Sequence, residues 1–207
     1  MICVSGLFLG TKFWSKFRAP NREHCISFVL PGHHDENSKS RNRFEIQDDL
    51  LKGENASGHN ALMLHSLAGV LLPANLGSIN QLICIEPNLT SISDGVVLMS
   101  KSIRTIKIMF NMFAKENEFA CEKLNLEDVY KFLGDSENIL AQKSPVNNLR
   151  ALSGKVRRVL IHGPDYEIDE KLSEDLFDVQ VFDHNFSHNC PYENPKLFSK
   201  IIRGIVC

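Results

Sequence analysis

The chain has 207 residues, with 23 basic and 25 acidic side chains for a formal charge of -2, and is 43% hydrophobic and 23% charged. That length makes one domain, or one domain carrying an insertion, with a core that needs no metal or disulfide staples. The composition excludes a disordered or fibrous chain, and the balanced charge gives no reason to expect nucleic acid or anionic lipid as a partner.

Short aliphatic runs alternate with longer amphipathic stretches, the pattern of an α/β protein built from βα units around a mostly parallel sheet. In chain order the strand candidates are 2–5, 25–30, 61–64, 81–85, 158–162 and 178–182. Each is rich in Ile, Val, Leu or Phe without polar alternation, as strands covered on both faces are. The polar stretch 33–43, with His33 and His34 at its start, reads as an exposed loop. Between the fourth and fifth candidates, 92–152 is read as a helical cap insertion that divides the core into 1–91 and 153–207. Within it Ile103, Ile106, Met109, Phe110 and Phe113 recur at helical spacing with Lys101, Arg104 and Lys107 interleaved. A second helix is expected after Asn125, carrying Leu126, Val129, Tyr130 and Leu133, with Gly134 as its stop. An amphipathic helix over 196–205 closes the chain.

The six cysteines, at 3, 25, 84, 121, 190 and 207, form no Cys-x-x-Cys pair, and no basic leader or long apolar run is present. A cytoplasmic protein is therefore expected, and the acceptor triplets at Asn55, Asn88 and Asn185 are read as chance. No metal site and no cofactor are expected.

The segment most informative about chemistry is Ala61-Leu62-Met63-Leu64-His65-Ser66-Leu67-Ala68-Gly69, an apolar strand running straight into His-Ser. A serine on a sharp strand-to-helix turn stands above the sheet, and the next backbone N–H faces an incoming carbonyl oxygen. This resembles the nucleophile elbow of the α/β-hydrolase superfamily, with Leu64 and Ala68 where that motif carries glycines. Other segments resemble the same family in the same order. Ser5-Gly6-Leu7-Phe8 resembles its His-Gly loop, with Trp14 downstream, and Phe28-Val29-Leu30-Pro31-Gly32-His33 resembles its Asp-Leu-Pro-Gly-His run. Ile83-Cys84-Ile85-Glu86-Pro87 resembles the strand after the elbow, often ended by an acid-Pro turn. Val159-Leu160-Ile161-His162-Gly163-Pro164-Asp165 resembles the strand that leads to the catalytic acid, and His188, seven residues before Pro195, resembles the catalytic histidine.

The resemblance spans nearly the whole chain and implies a serine hydrolase that cleaves a carboxylic ester or thioester through an acyl-enzyme. It implies Ser66 as nucleophile, His188 as base and Asp165 as acid, with oxyanion donors on the backbone of Leu7 and Leu67. His65, Phe8 and Trp14 are expected around the substrate, His65 as a packing or oxyanion-shell residue beside the nucleophile. His184 is an alternative base, and Glu167 or Asp169 an alternative acid. The substrate would be a small or acyl-type ester, free or presented by an acyl carrier protein that meets Lys101, Arg104, Lys107 and Lys115. The rival reading is a hydrolase-fold binding or regulatory module without catalysis.

Overall fold

A computed structural model describes residues 1–18, 25–35 and 61–206. The Asn55 acceptor triplet and most of the polar stretch 33–43 lie outside them. All six expected strands form: β1 (Ile2–Val4), β2 (Ile26–Phe28), β4 (Ala61–His65), β5 (Gln81–Ile85), β7 (Arg157–His162) and β8 (Val179–Phe182). They make one parallel sheet in the order β2-β1-β4-β5-β7-β8. Two short strands, β3 (His33–His34) and β6 (Lys123–Leu124), pair antiparallel outside it.

The two-residue period of a strand divides its side chains between two cores. On one face Ile2, Val4, Leu62, Leu64, Leu82, Cys84 and Leu160 join a single buried cluster. On the other, Cys3, Ala61, Met63, Ile83, Ile85, Val159 and Ile161 meet Phe13, Trp14, Phe198 and Ile202. Those partners come from the 3-10 turn Thr11–Trp14 and from α7 (Pro195–Val206), preceded by α6 (Cys190–Glu193). A further helix, α5 (Glu170–Leu176), connects β7 and β8.

Between β5 and β7 lie α1 (Asp94–Ser100), α2 (Ile103–Glu116), α3 (Leu126–Ala141) and α4 (Ser144–Ala151). Ser102 and Asn125 cap α2 and α3, accepting from the N–H groups of Thr105 and Asp128. These helices divide by burial. Val129, Phe132, Leu133, Ile139, Val146 and Leu149 from α3 and α4 enter the same cluster as the central strands. In α2 only Ile106 is fully buried, while Ile108 and Met112 face outward. The insertion is thus partly core and partly outer helix. Gly134 does not stop α3, which runs on to Ala141. No helix among the described residues is long and apolar enough to cross a membrane.

Candidate active site

Among the described residues four non-glycine residues take left-handed backbone angles, and three of them lie in the segments that follow β1, β4 and β5, neighbours in the sheet: Phe8 (φ 64), Ser66 (φ 54) and Glu86 (φ 42). Each such residue costs of order 1–3 kcal/mol and persists only where its surroundings over-determine it. The strain is thus gathered at the same end of three adjacent strands.

Ser66 is the sharp turn itself. His65 is still extended (φ -107, ψ 130), and the chain then reverses into a 3-10 turn over Ser66–Leu71 in place of the expected α-helix. The Asn88 N–H donates to the Ser66 carbonyl at 3.0 Å, tying the turn to the loop after β5. The serine hydroxyl is half-buried and makes no hydrogen bond among the described residues.

Glu86 is buried and uses both carboxylate oxygens. Oε1 accepts the Gly163 N–H at 2.9 Å, and Oε2 accepts the His188 Nδ1–H at 2.6 Å. The first contact requires a glycine, because a Cβ at residue 163 would lie 1.9 Å from the Phe186 carbonyl oxygen. With Nδ1 engaged, His188 leaves Nε2 as its free acceptor on a half-exposed ring. His65 holds the same loop, its Nε2–H donating to the His188 carbonyl at 2.8 Å, with the two rings 4.6 Å apart. Burial, and then the neighbouring His188, push the pKa of His65 well below its usual value, so it is neutral with an unpartnered Nδ1.

The loop after β1 completes the cluster. Ser5 is buried, accepts the Trp14 indole N–H at 2.9 Å and donates to the Gly10 carbonyl. A Cβ on Gly6 would lie 2.8 Å from His65 Nδ1 and 2.9 Å from Ser66 Cβ, so only glycine lets the loop pass this close to the serine. The N–H groups of Leu7 and Leu67, on either side of Ser66, have no partner among the described residues. The Phe8 N–H donates to His33 Nε2 at 2.9 Å.

No protein-family model matches the sequence, and no curated protein matches it either. Solved structures do. A lipase-esterase related protein from Clostridium acetobutylicum superposes with a TM-score of 0.67 at 12% identity, covering 98% of this chain and 92% of that one. The enol-lactonase of Burkholderia xenovorans gives 0.67 at 15% identity, covering 99% and 90%. A thermophilic esterase from Thermogutta terrifontis gives 0.63 at 16%, covering 99% and 88%. The chain has the α/β-hydrolase fold.

Within this α/β-hydrolase fold the sequence-expected residues divide. Ser66, His188, Leu7 and Leu67 are brought to one end of the sheet. Asp165 is not: it lies exposed in the turn after β7 and makes no hydrogen bond among the described residues. Its expected place against His188 is taken by Glu86, from the neighbouring strand end, because the Gly163 N–H turns inward to Glu86 while the two residues after it turn out to solvent. Glu167 is exposed too, and Asp169 caps α5 by accepting the Leu172 N–H. His184 lies exposed against Phe182, away from the serine. The signal for Glu86 was an acid directly after the strand 81–85. The three residues expected around the substrate are all buried, which for His65 agrees with the packing alternative. Trp14 and His65 are buried against Phe13, and Phe8 is buried under Phe110 and Phe113 of α2. His33 is likewise no loop residue but wholly buried.

Proposed function

We propose that this chain is a serine hydrolase that cleaves a carboxylic ester or thioester through an acyl-enzyme on Ser66. The observation that carries the reading is the buried Glu86 holding the half-exposed His188 ring, with Glu86 and a left-handed serine at the ends of adjacent parallel strands. A serine hydroxyl is a weak nucleophile at neutral pH and needs a base. His188 Nε2 takes the Ser66 proton as Oγ attacks the acyl carbon, then delivers it to the leaving alcohol or thiol. Glu86 fixes the Nδ1–H tautomer and stabilises the imidazolium. The unpartnered N–H groups of Leu7 and Leu67 receive the oxyanion, each donor being worth about 3–4 kcal/mol in other hydrolases. Water then repeats the sequence on the acyl-enzyme. Phe110 and Phe113 reach Phe8, next to the oxyanion donor, so α2 supplies an apolar wall and an apolar acyl group suits the site.

The test is labelling with a fluorophosphonate, with p-nitrophenyl butyrate as the turnover probe. Ser66 is the expected labelled residue, and Ser66→Ala should lose on the order of 10⁴-fold or more in kcat with an unchanged thermal midpoint. Folded protein that neither labels nor turns over, beside a reacting control hydrolase, would replace this reading with a non-catalytic binding module.

A further inference from the structure

The imidazole of His33 is wholly buried, yet both of its nitrogens are engaged. Nδ1 lies 3.0 Å from the Pro31 carbonyl and must donate to it, which leaves Nε2 as the acceptor for the Phe8 N–H at 2.9 Å. The ring bridges two loops 25 residues apart in sequence. Its own segment is fixed from behind, because β3 pairs with β6 and the Asn125 N–H donates to the Gly32 carbonyl at 2.8 Å. Phe8 is the left-handed residue of the first loop, and the peptide it closes belongs to Leu7.

We infer that His33 is a positioning residue for the oxyanion hole, holding the Leu7–Phe8 turn so that the Leu7 N–H stays free and aimed at the tetrahedral oxygen. The inference rests on the serine-hydrolase reading above. His33 takes the Phe8 N–H, which would otherwise be a buried orphan and a competing donor. The same bond offsets the strain of a phenylalanine at φ 64. A neutral nitrogen acceptor is required here, and burial, as the main cause, lowers the His33 pKa to about 4, so the ring stays neutral and keeps that lone pair. Gly6, pressed against Ser66 Cβ, carries the setting of the turn directly to the nucleophile.

Two isosteres separate this role from packing. The amide of His33→Asn ends near the Nδ1 position, so it keeps the Pro31 contact and loses the Phe8 acceptor. The amide oxygen of His33→Gln reaches the Nε2 position and restores that acceptor. With p-nitrophenyl butyrate, H33N should lose on the order of 10²-fold in kcat with KM within about threefold, while H33Q stays within about tenfold of the parent. Inhibition by an aryl trifluoromethyl ketone, whose Ser66 hemiketal places an oxyanion in the hole, should weaken in H33N by the same factor as kcat/KM. Folded H33N and H33Q that lose activity equally, or H33N that keeps its kcat and its ketone affinity, overturn the inference while parental turnover leaves the serine-hydrolase reading standing. A parent inert to both ester and fluorophosphonate overturns both. The unmodified protein gives a check that needs no variant: long-range proton–nitrogen correlation of the His33 ring should show the Nδ1–H tautomer at neutral pH, and an Nε2–H tautomer sinks the inference.

Discussion

Glu86 carries two demands on one carboxylate: Oε1 holds the Gly163 N–H, and Oε2 holds the His188 ring. Replacing it by glutamine separates the two. The amide oxygen can still accept from Gly163, but the amide nitrogen facing Nδ1 favours the wrong imidazole tautomer and removes the charge that stabilises an imidazolium. Glu86→Gln is therefore expected to lower kcat by about 10²–10⁴-fold with KM little changed, the scale seen when other triads lose their acid. Asp165→Asn should leave kcat within about twofold, since that side chain stands exposed and without a partner among the described residues. Steady-state hydrolysis of p-nitrophenyl butyrate by the two variants decides between the acids. The reverse ranking would return the role to Asp165 and make the Glu86–His188 bond an architectural one.

Elements were legible where a local rule decides them. The six strands could be read from aliphatic runs because a doubly covered strand has no polar alternation to disguise it, α2 from its helical spacing of apolar residues, and α3 from Asn125, which caps it. The turn at Ser66 was legible for the same reason, since strand and serine are contiguous. The carboxylate partner of His188 was not, because Glu86 and His188 are 102 residues apart and the sequence does not say which strand end the His188 loop reaches. The burial of Trp14 was hidden likewise: which side chains line a cleft depends on the turn Thr11–Trp14 folding back under β4. Gly134 misled in the other direction. A glycine inside a helix costs only about 1 kcal/mol, and Leu133, Ile139 and Leu140 of α3 bury more than that against the sheet. Nothing lies within 4 Å of a Cβ built at Gly134. Gly134→Ala should accordingly stabilise the protein by about 0.5–1 kcal/mol, read as a higher urea midpoint at unchanged slope. A lower midpoint would mean that the residue is not helical in solution.

At the scale of the whole molecule, the end of the sheet that carries Ser66 is held by buried neutral histidines, and this sets how the fold responds to acid. His33 fixes the Phe8 loop, and His65 fixes the His188 loop. Burial is the main cause lowering both pKa values, to about 4 for His33 and well below the usual value for His65. In the unfolded chain both return to about 6.5. As pH falls below that value the unfolded state binds protons that the folded state refuses, so stability falls with pH. The contribution of His33 is complete above about pH 6.5, declines as pH drops toward about 4, and amounts to roughly 3 kcal/mol across that window. His65 acts with the same sign. The Asp178 carboxyl, held low mainly by its hydrogen bonds from Arg158, adds its loss only at lower pH, below the ordinary carboxylate range. Urea midpoints measured between about pH 7 and about pH 4.5 should therefore fall steadily, before the carboxylates titrate. In His33→Gln the slope should be shallower, because the protons that His33 takes up on unfolding are gone while those of His65 remain. A midpoint flat across that range would show that these rings are not held neutral in the folded protein. A parental slope retained in His33→Gln would assign the whole effect to His65.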